Sequence, residues 1–258
     1  MTVHSEQGAI PTTRNRAVSV IALTGLGLAV LTSFIIILAG LGSRWGWWHF
    51  RTGFAILQWG GYGGMLAAVV SLIGAAAARS KTYRREFIAA VAGLIIALIT
   101  VGVPWSWKQT ALHVPPIHDI TTDTENPPGF VAILPLRADA PNPAAYGGPE
   151  VAAQQREGYP ELGPLNLSVP SPRAFERALA AARAMGWKIV DSNPAEGRIE
   201  ATDTTFWFGF KDDIVVRIAP SNGGSRIDVR SVSRVGRSDV GTNAKRIEKF
   251  LQKVSRNG

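Results

Sequence analysis

The chain has 258 residues, with 27 Lys and Arg against 19 Asp and Glu, 46% hydrophobic residues and no cysteine. Its apolar residues crowd into the first half, which excludes a single soluble domain, and without cysteine there is no disulfide, c-type haem attachment, thiolate metal site or lipidated Cys. Residues 1–107 carry 8 basic and 2 acidic side chains and residues 108–258 carry 19 and 17, so most of the +8 net charge sits with the apolar half. Those basic residues flank hydrophobic runs instead of clustering as phosphate contacts, and no nucleic-acid partner is expected.

From Ala17 to Leu41 the chain runs 25 residues without a charge. At 1.5 Å per residue that crosses a hydrocarbon core of about 30 Å, and it is longer than the apolar core of a cleavable signal peptide, so a retained anchor is expected. Uncharged runs over Thr52–Ala78 and Phe87–Trp107 predict two further spans, with Pro104 near the end of the third. Arg14 and Arg16 precede the first span, Arg44 and Arg51 follow it, and Arg79, Lys81, Arg84 and Arg85 lie between the second and third. The short-loop basic bias then places the N-terminus in the cytoplasm and residues 108–258 outside, which in a Gram-negative cell is the periplasm.

The loop Ser43–Arg51 is dense in Trp, as at a headgroup belt, and His49 in it has no second metal ligand nearby. Gly60 and Gly64 form a small-xxx-small pair suited to packing among the chain's own helices. The spans carry no internal charge, so a transporter or channel is not expected.

Residues 108–170 are rich in Pro and read as an extended linker packed on the C-terminal domain. His113, His118, Asp119 and Asp123 could supply metal ligands, although their spacing fits no strong site pattern and solvated turn residues are the simpler account. No cofactor is expected.

Ser171-Pro172 opens a predicted helix with Ser171 as its cap and Phe175, Leu179, Ala182 and Met185 on one face, stopped by Gly186. Four strands come after it. Trp187–Asp191 reads as a strand, Arg198–Thr202 alternates with period two, and a loop at Lys211-Asp212-Asp213 would set Phe210, Phe208 and Phe206 against Ile214, Val216 and Ile218. A second loop at Pro220–Gly224 sets Ile218 against Ile227, Val216 against Val229 and Arg217 against Asp228. The opposite face would then carry Trp207, Val215, Arg217, Asp228 and Arg230. A solvated surface with one ion pair is one reading of it; a binding surface anchored by Trp207 beside Arg is the other.

The tail ends in a helix with Ile247, Phe250, Leu251 and Val254 on one face. Arg234, Arg237, Lys245 and Arg246 near its start could hold an anion or lipid headgroup, unless Asp239 or Thr242 already caps its backbone donors.

The runs Gly197–Thr202, Phe208–Ile218 and Asp228–Ile247, together with His118–Asp123 and Pro127–Phe130, resemble the DUF1499 family of bacterial and plastid proteins. The resemblance spans roughly 115–255. It implies an envelope protein held at a membrane, and because the family has no assigned function it carries over no catalytic residue. The expected fold is a three-span α-helical membrane domain over 1–107, the linker over 108–170, and over 171–258 an α+β domain of antiparallel sheet packed on two helices, similar to helix-grip modules.

No Ser-His-Asp set, nucleotide loop or metal motif is present, and adjacent Asp212 and Asp213 read as a turn pair. The expectation is a non-enzymatic inner-membrane protein whose periplasmic module docks a protein partner, for example as an accessory subunit of an envelope or membrane complex. Trp207, Arg217, Asp228 and Arg230, with Arg234, Arg237, Asp239 and Arg246, are its candidate binding residues. The alternative is lipid or small-amphiphile binding between sheet and helices, with Phe206, Phe208 and Phe210 lining the pocket; membrane lipids are partners in either case.

Overall fold

A computed structural model describes residues 13–256, save the side chains of residues 14 and 15; the orientation argument's Arg14 therefore lies outside the described side chains. The chain forms two compact units, one ending at Ser106 and the other beginning at Trp107.

The first unit contains α1 (Thr13–Arg44), α2 (Phe50–Ala77) and most of α3 (Arg84–His113). All three are long and apolar enough to cross a membrane. Helices with no hydrophobic drive toward each other in lipid associate through close backbone approach, which small residues permit. Ala22, Ala75 and Ala90 meet in one layer, and Ala29, Ala67 and Ala97 in the next. Gly60 lies against Ile36, and Gly64 against Val101 and Thr100, so this glycine pair does pack against the chain's own helices. Ser33 and Thr100 hydroxyls add a hydrogen bond of 2.5 Å between α1 and α3. Pro104 sits inside α3, which continues to His113.

The second unit is an antiparallel sheet packed on helices. Strands β1 (Asp119–Thr121), β2 (Leu165–Leu167), β3 (Lys188–Asn193), β4 (Arg198–Thr204), β5 (Lys211–Ser221) and β6 (Gly224–Ser233) form one sheet in the order β1-β6-β5-β4-β3, with β2 also on β6. Thus β1 and β2 share the outer edge of β6, pairing with Arg230–Val232 and Ser225–Ile227. The expected four strands become six because the supposed linker supplies two of them. It also holds a short 3-10 turn at Leu134–Arg137 and α4 (Gly148–Gly158), begun by Pro149 near its N-terminus.

On one face, Ile199, Ala201, Ile214, Val216, Ile218, Ile227 and Val229 pack against α5 (Ser171–Ala184) and α6 (Thr242–Arg256). The small Ala174, Ala178, Ala181 and Ala182 bring α5 close to the strands, while Ile247, Phe250 and Val254 of α6 fill the remainder. Each fully buried branched side chain contributes about 1.5–3 kcal/mol. Trp187 stacks on Phe250 with ring centroids 5.0 Å apart. Ser171 does not cap α5: it is the first helical residue, Pro170 occupies the cap position, and the buried Ser171 hydroxyl has no hydrogen-bond partner. Gly186 does stop the helix, at φ 77°.

The β5–β6 register is as predicted, with Ile218 opposite Ile227 and Arg217 opposite Asp228 around a tight turn at Asn222-Gly223. The β4–β5 register is not. Lys211, Asp212 and Asp213 are strand residues, paired with Thr204, Asp203 and Thr202, and the turn spans Thr205–Phe210. Gly209 at φ 70° supplies the left-handed residue that closes it, and Thr205 Oγ1 accepts the Phe210 N–H at 2.9 Å. Phe206, Phe208 and Phe210 therefore lie outside the sheet–helix core.

Candidate functional site

The sheet face away from the helices is neither solvated nor open for docking. Residues 122–147 lie across it as a strap, burying Phe130 and Ile133 against Val215 and Val232. Alternation along β4, β5 and β6 aims Glu200, Thr202, Asp213, Arg217, Asp228 and Arg230 at that strap. A buried charge must find a partner, and each finds one.

Glu200, fully buried, organises the strap's turn. Its Oε1 accepts the Val131 and Ala132 N–H groups at 2.8 and 3.1 Å, and its Oε2 accepts that of Ile133 at 2.8 Å. Successive N–H groups converging on one anion form a backbone nest. Arg198, beside it on β4, pairs with the same carboxylate and with Glu196 and Asp191. With the backbone thus held, Val131, Leu134 and Leu136 stand outward, 56, 45 and 54% exposed.

Arg230 meets Asp119 through two parallel hydrogen bonds, Nε to Oδ1 at 2.9 Å and Nη2 to Oδ2 at 2.7 Å. It also donates to the Ala144 carbonyl, and its guanidinium lies over the rings of Phe130 and Tyr146. Arg137 covers Phe130 as well, at 5.6 Å from the ring centre. Tyr146 keeps a buried hydroxyl with no hydrogen-bond partner; burial, then the Asp119 charge, push its pKa up to about 12.

Asp213 accepts from Arg137 at 2.9 Å, from Arg234 twice at 2.8 Å and from the Thr202 hydroxyl at 2.7 Å. Its neighbour Asp212 points to the helix face and meets Arg246 of α6 at 2.6 Å, where Asp203 also binds Arg246 at 2.8 Å. The pair expected in a turn is thus split across the two faces of a strand. Further along, Arg217 and Arg226 share Asp123 and Asp228 at 2.9–3.0 Å. Burial raises the Asp123 carboxyl, but donation by the Asn126 and Glu125 N–H groups and the charges of Arg226 and Arg217 outweigh it and hold the pKa below its ordinary value.

These partners decide what the expected binding residues are available for. Arg217, Asp228 and Arg230 are engaged beneath the strap, and Trp207 is not on that face at all; it lies in the β4–β5 turn. Arg234 and Arg246 are engaged with Asp213 and with Asp203 and Asp212. Asp239 caps α6, its two oxygens accepting the Gly241 and Asn243 N–H groups at 2.8 Å, and burial raises its pKa. Arg237 is exposed, with its carbonyl near His118 Nδ1. The structure therefore does not gather Arg234, Arg237, Lys245 and Arg246 around one shared position. Of the possible metal ligands, His113 Nδ1 lies 2.7 Å from the Gln109 carbonyl while Asp119 and Asp123 face arginines. Among the described residues no three His, Asp or Glu side chains form a metal-sized group.

Two surfaces that the sequence does not announce remain. One is the outward row Val131, Leu134 and Leu136 on the strap. The other is the turn Phe206-Trp207-Phe208-Gly209-Phe210, in which Phe208 and Phe210 stack at 5.4 Å, Trp207 meets Phe208 edge-on at 5.0 Å, and Phe206 is 83% exposed. Trp207 also meets Trp107, the first residue of this same compact unit, with ring centroids 5.2 Å apart.

Three apolar helices followed by a strapped antiparallel sheet define a membrane-protein architecture with an α+β module. The profile of the family described as "Protein of unknown function (DUF1499)" matches residues 119–254, more than half of the chain, and the protein belongs to that family. The match begins at β1, on the Asp119 that holds Arg230, so it takes in the strap as well as the sheet. A search of the curated proteins found no match.

Proposed function

We propose that this is a non-enzymatic membrane protein whose α+β module docks a protein partner, as an accessory subunit of an envelope or membrane complex. The observation that carries the reading is the strap. Its backbone is fixed from beneath by Glu200 and its flank by Arg137 and Arg234, while Val131, Leu134 and Leu136 project outward. Apolar side chains held on a pre-ordered backbone are suited to docking, because little conformational entropy is lost on binding. The charged side chains of the sheet serve this surface from within and make no direct contact with the partner.

The positive-inside distribution supports an N-terminus in the cytoplasm and a module in the periplasm of a Gram-negative cell. Because the chain has no cysteine, Ala195→Cys, in the exposed β3–β4 turn, reports orientation directly. Labelling by a membrane-impermeant maleimide in intact cells is expected; labelling only after lysis overturns the orientation.

The docking reading is tested by native mass spectrometry of full-length protein released gently from its own membrane. A companion subunit of defined mass is expected, lost on Leu134→Asp with Leu136→Asp while the melting temperature stays within about 2 °C, as for exposed substitutions. Retention of the companion by that variant, or bare protein throughout, overturns it.

A further inference from the structure

We infer that the outer side of the α5–α6 layer docks an acidic helical segment of a protein partner. This surface lies on the side of the sheet opposite the strap, and it goes beyond the docking proposed there.

The two helices depart from the charge pairing that governs the rest of the second unit. Together they carry eight basic and two acidic side chains, whereas the rest of residues 108–258 carries 11 and 15. Every arginine of β4, β5 and β6 is ion-paired, and so is Arg246, which α6 turns inward to Asp203 and Asp212. Among the described residues, no other basic side chain of α5 or α6 has an ion-pair partner, and Glu176 and Glu248 have none either.

Local energetics work against this arrangement. Lys245, Lys249 and Lys253 follow one another at four-residue intervals, as do Arg173 and Arg177, and like charges at that spacing repel. Arg173 and Lys245 also sit in the first turns of their helices, where the backbone dipole disfavours a cation and neither helix places an acid. Several local rules are thus broken together with no compensating contact inside the fold, which directs the charge at an anion outside it.

Lys245, Lys249 and Arg256 are exposed and Lys253 is half-buried, in a row about 16 Å long with a repeat of about 6 Å. Carboxylates four residues apart on a facing helix repeat at that same spacing. Because α5 touches α6 on the sheet, Arg173 and Arg177 give the seat a second cationic side. An acidic protein segment is favoured over a bilayer or a nucleic acid. Among the described residues, none of the exposed large apolar side chains belongs to α5 or α6, so the surface has nothing to insert among lipid chains or to stack on bases.

The test uses full-length protein in phosphatidylcholine nanodiscs and a fluorescein-labelled, alanine-based helical peptide with Glu at every fourth position. Binding is followed by anisotropy at about 50 mM salt, where surface charges are weakly screened. The peptide is expected to bind, and to bind about tenfold more weakly or worse to the double variant Arg173→Glu with Lys249→Glu. Both changes turn repelling neighbours into attracting ones, so the melting temperature of that variant should stay at or above wild type. Leu134→Asp with Leu136→Asp is expected to leave peptide binding unchanged, which keeps failure of the strap reading separate from failure of this one. Equal binding by the charge-reversed variant overturns the inference. So does equal binding of peptides with the same Glu content clustered at one end, or with Gln in place of Glu, which would mean that the surface does not read spaced carboxylates.

Discussion

Arg230 on β6 and Asp119 on the edge strand β1 are joined by two parallel hydrogen bonds although 111 residues separate them in the chain. The pair is buried, and burial of two charges carries a desolvation penalty that good geometry offsets but rarely exceeds. What the pair secures is position: it fixes the outer strand, and with it the start of the strap, on a sheet edge that β1 holds with three residues only.

Removing one partner leaves a buried carboxylate without its cation. Arg230→Met is expected to destabilise the protein by about 3–5 kcal/mol in denaturant titrations. Arg230→Lys keeps the charge but loses the two-pronged geometry and the stacking on Phe130 and Tyr146, and is expected to fall between wild type and Met. A wild-type midpoint for Arg230→Met would refute the positioning role.

Glu200→Gln keeps the shape of the side chain and removes its charge. One oxygen is replaced by a donor facing the strap N–H groups, and Arg198 loses its buried counter-charge. A loss of about 2 kcal/mol or more is expected from weakened charge-assisted hydrogen bonds. Limited proteolysis should cut within residues 122–147 before any other part of the second unit. Uniform cleavage of that unit would show that Glu200 stabilises the sheet generally rather than the strap.

The pH dependence has a defined sign at Asp123. Its folded pKa lies below the ordinary value of 3.8, so between the two the unfolded chain binds more protons. Its stabilising contribution is present above the unfolded value and is lost as pH falls through the folded one. Asp123→Asn should therefore lower stability at pH 7 and flatten the decline below about pH 4, measured as melting temperature against pH. A decline as steep as wild type would place the acid sensitivity elsewhere.

Within the membrane unit, two neighbouring glycines differ. A side chain at Gly64 meets Val101 at 2.9 Å, whereas at Gly61 nothing lies within 4 Å. Gly64→Leu is expected to cost about 1–3 kcal/mol of overpacking, read as a lower melting temperature in detergent, and Gly61→Leu almost nothing. Equal effects would argue against the α2–α3 contact.

The architecture is legible wherever one physical rule acts alone. Charge-free length marks the spans, and the β5–β6 register comes from matching Ile218 with Ile227 and Arg217 with Asp228. The adjacent turn misleads because Phe206, Phe208 and Phe210 alternate like a buried strand while Lys211-Asp212-Asp213 has the composition of a loop. What holds the two aspartates inside is remote: Arg137, Arg234 and Arg246 lie 21 to 76 positions away, beyond the reach of any local pattern. The strap is legible only in part for the same reason. Its many prolines read as extended chain packed on the C-terminal domain, and the signal that could reveal its ionic partners is charge matching, since Asp119 and Asp123 stand upstream of a strand carrying Arg226 and Arg230.

The strap precedes most of the sheet it covers, and this sets an order of assembly. As the chain is made, Asp119, Asp123 and Arg137 emerge well before their counterparts on β5 and β6, so the ionic face cannot close until the last hairpin is complete. Contacts between such distant positions form slowly because a long loop must first be closed. A chain cut short before β6 would thus lack Arg226 and Arg230 while keeping the acids meant for them, and would be left with an unclosed sheet edge.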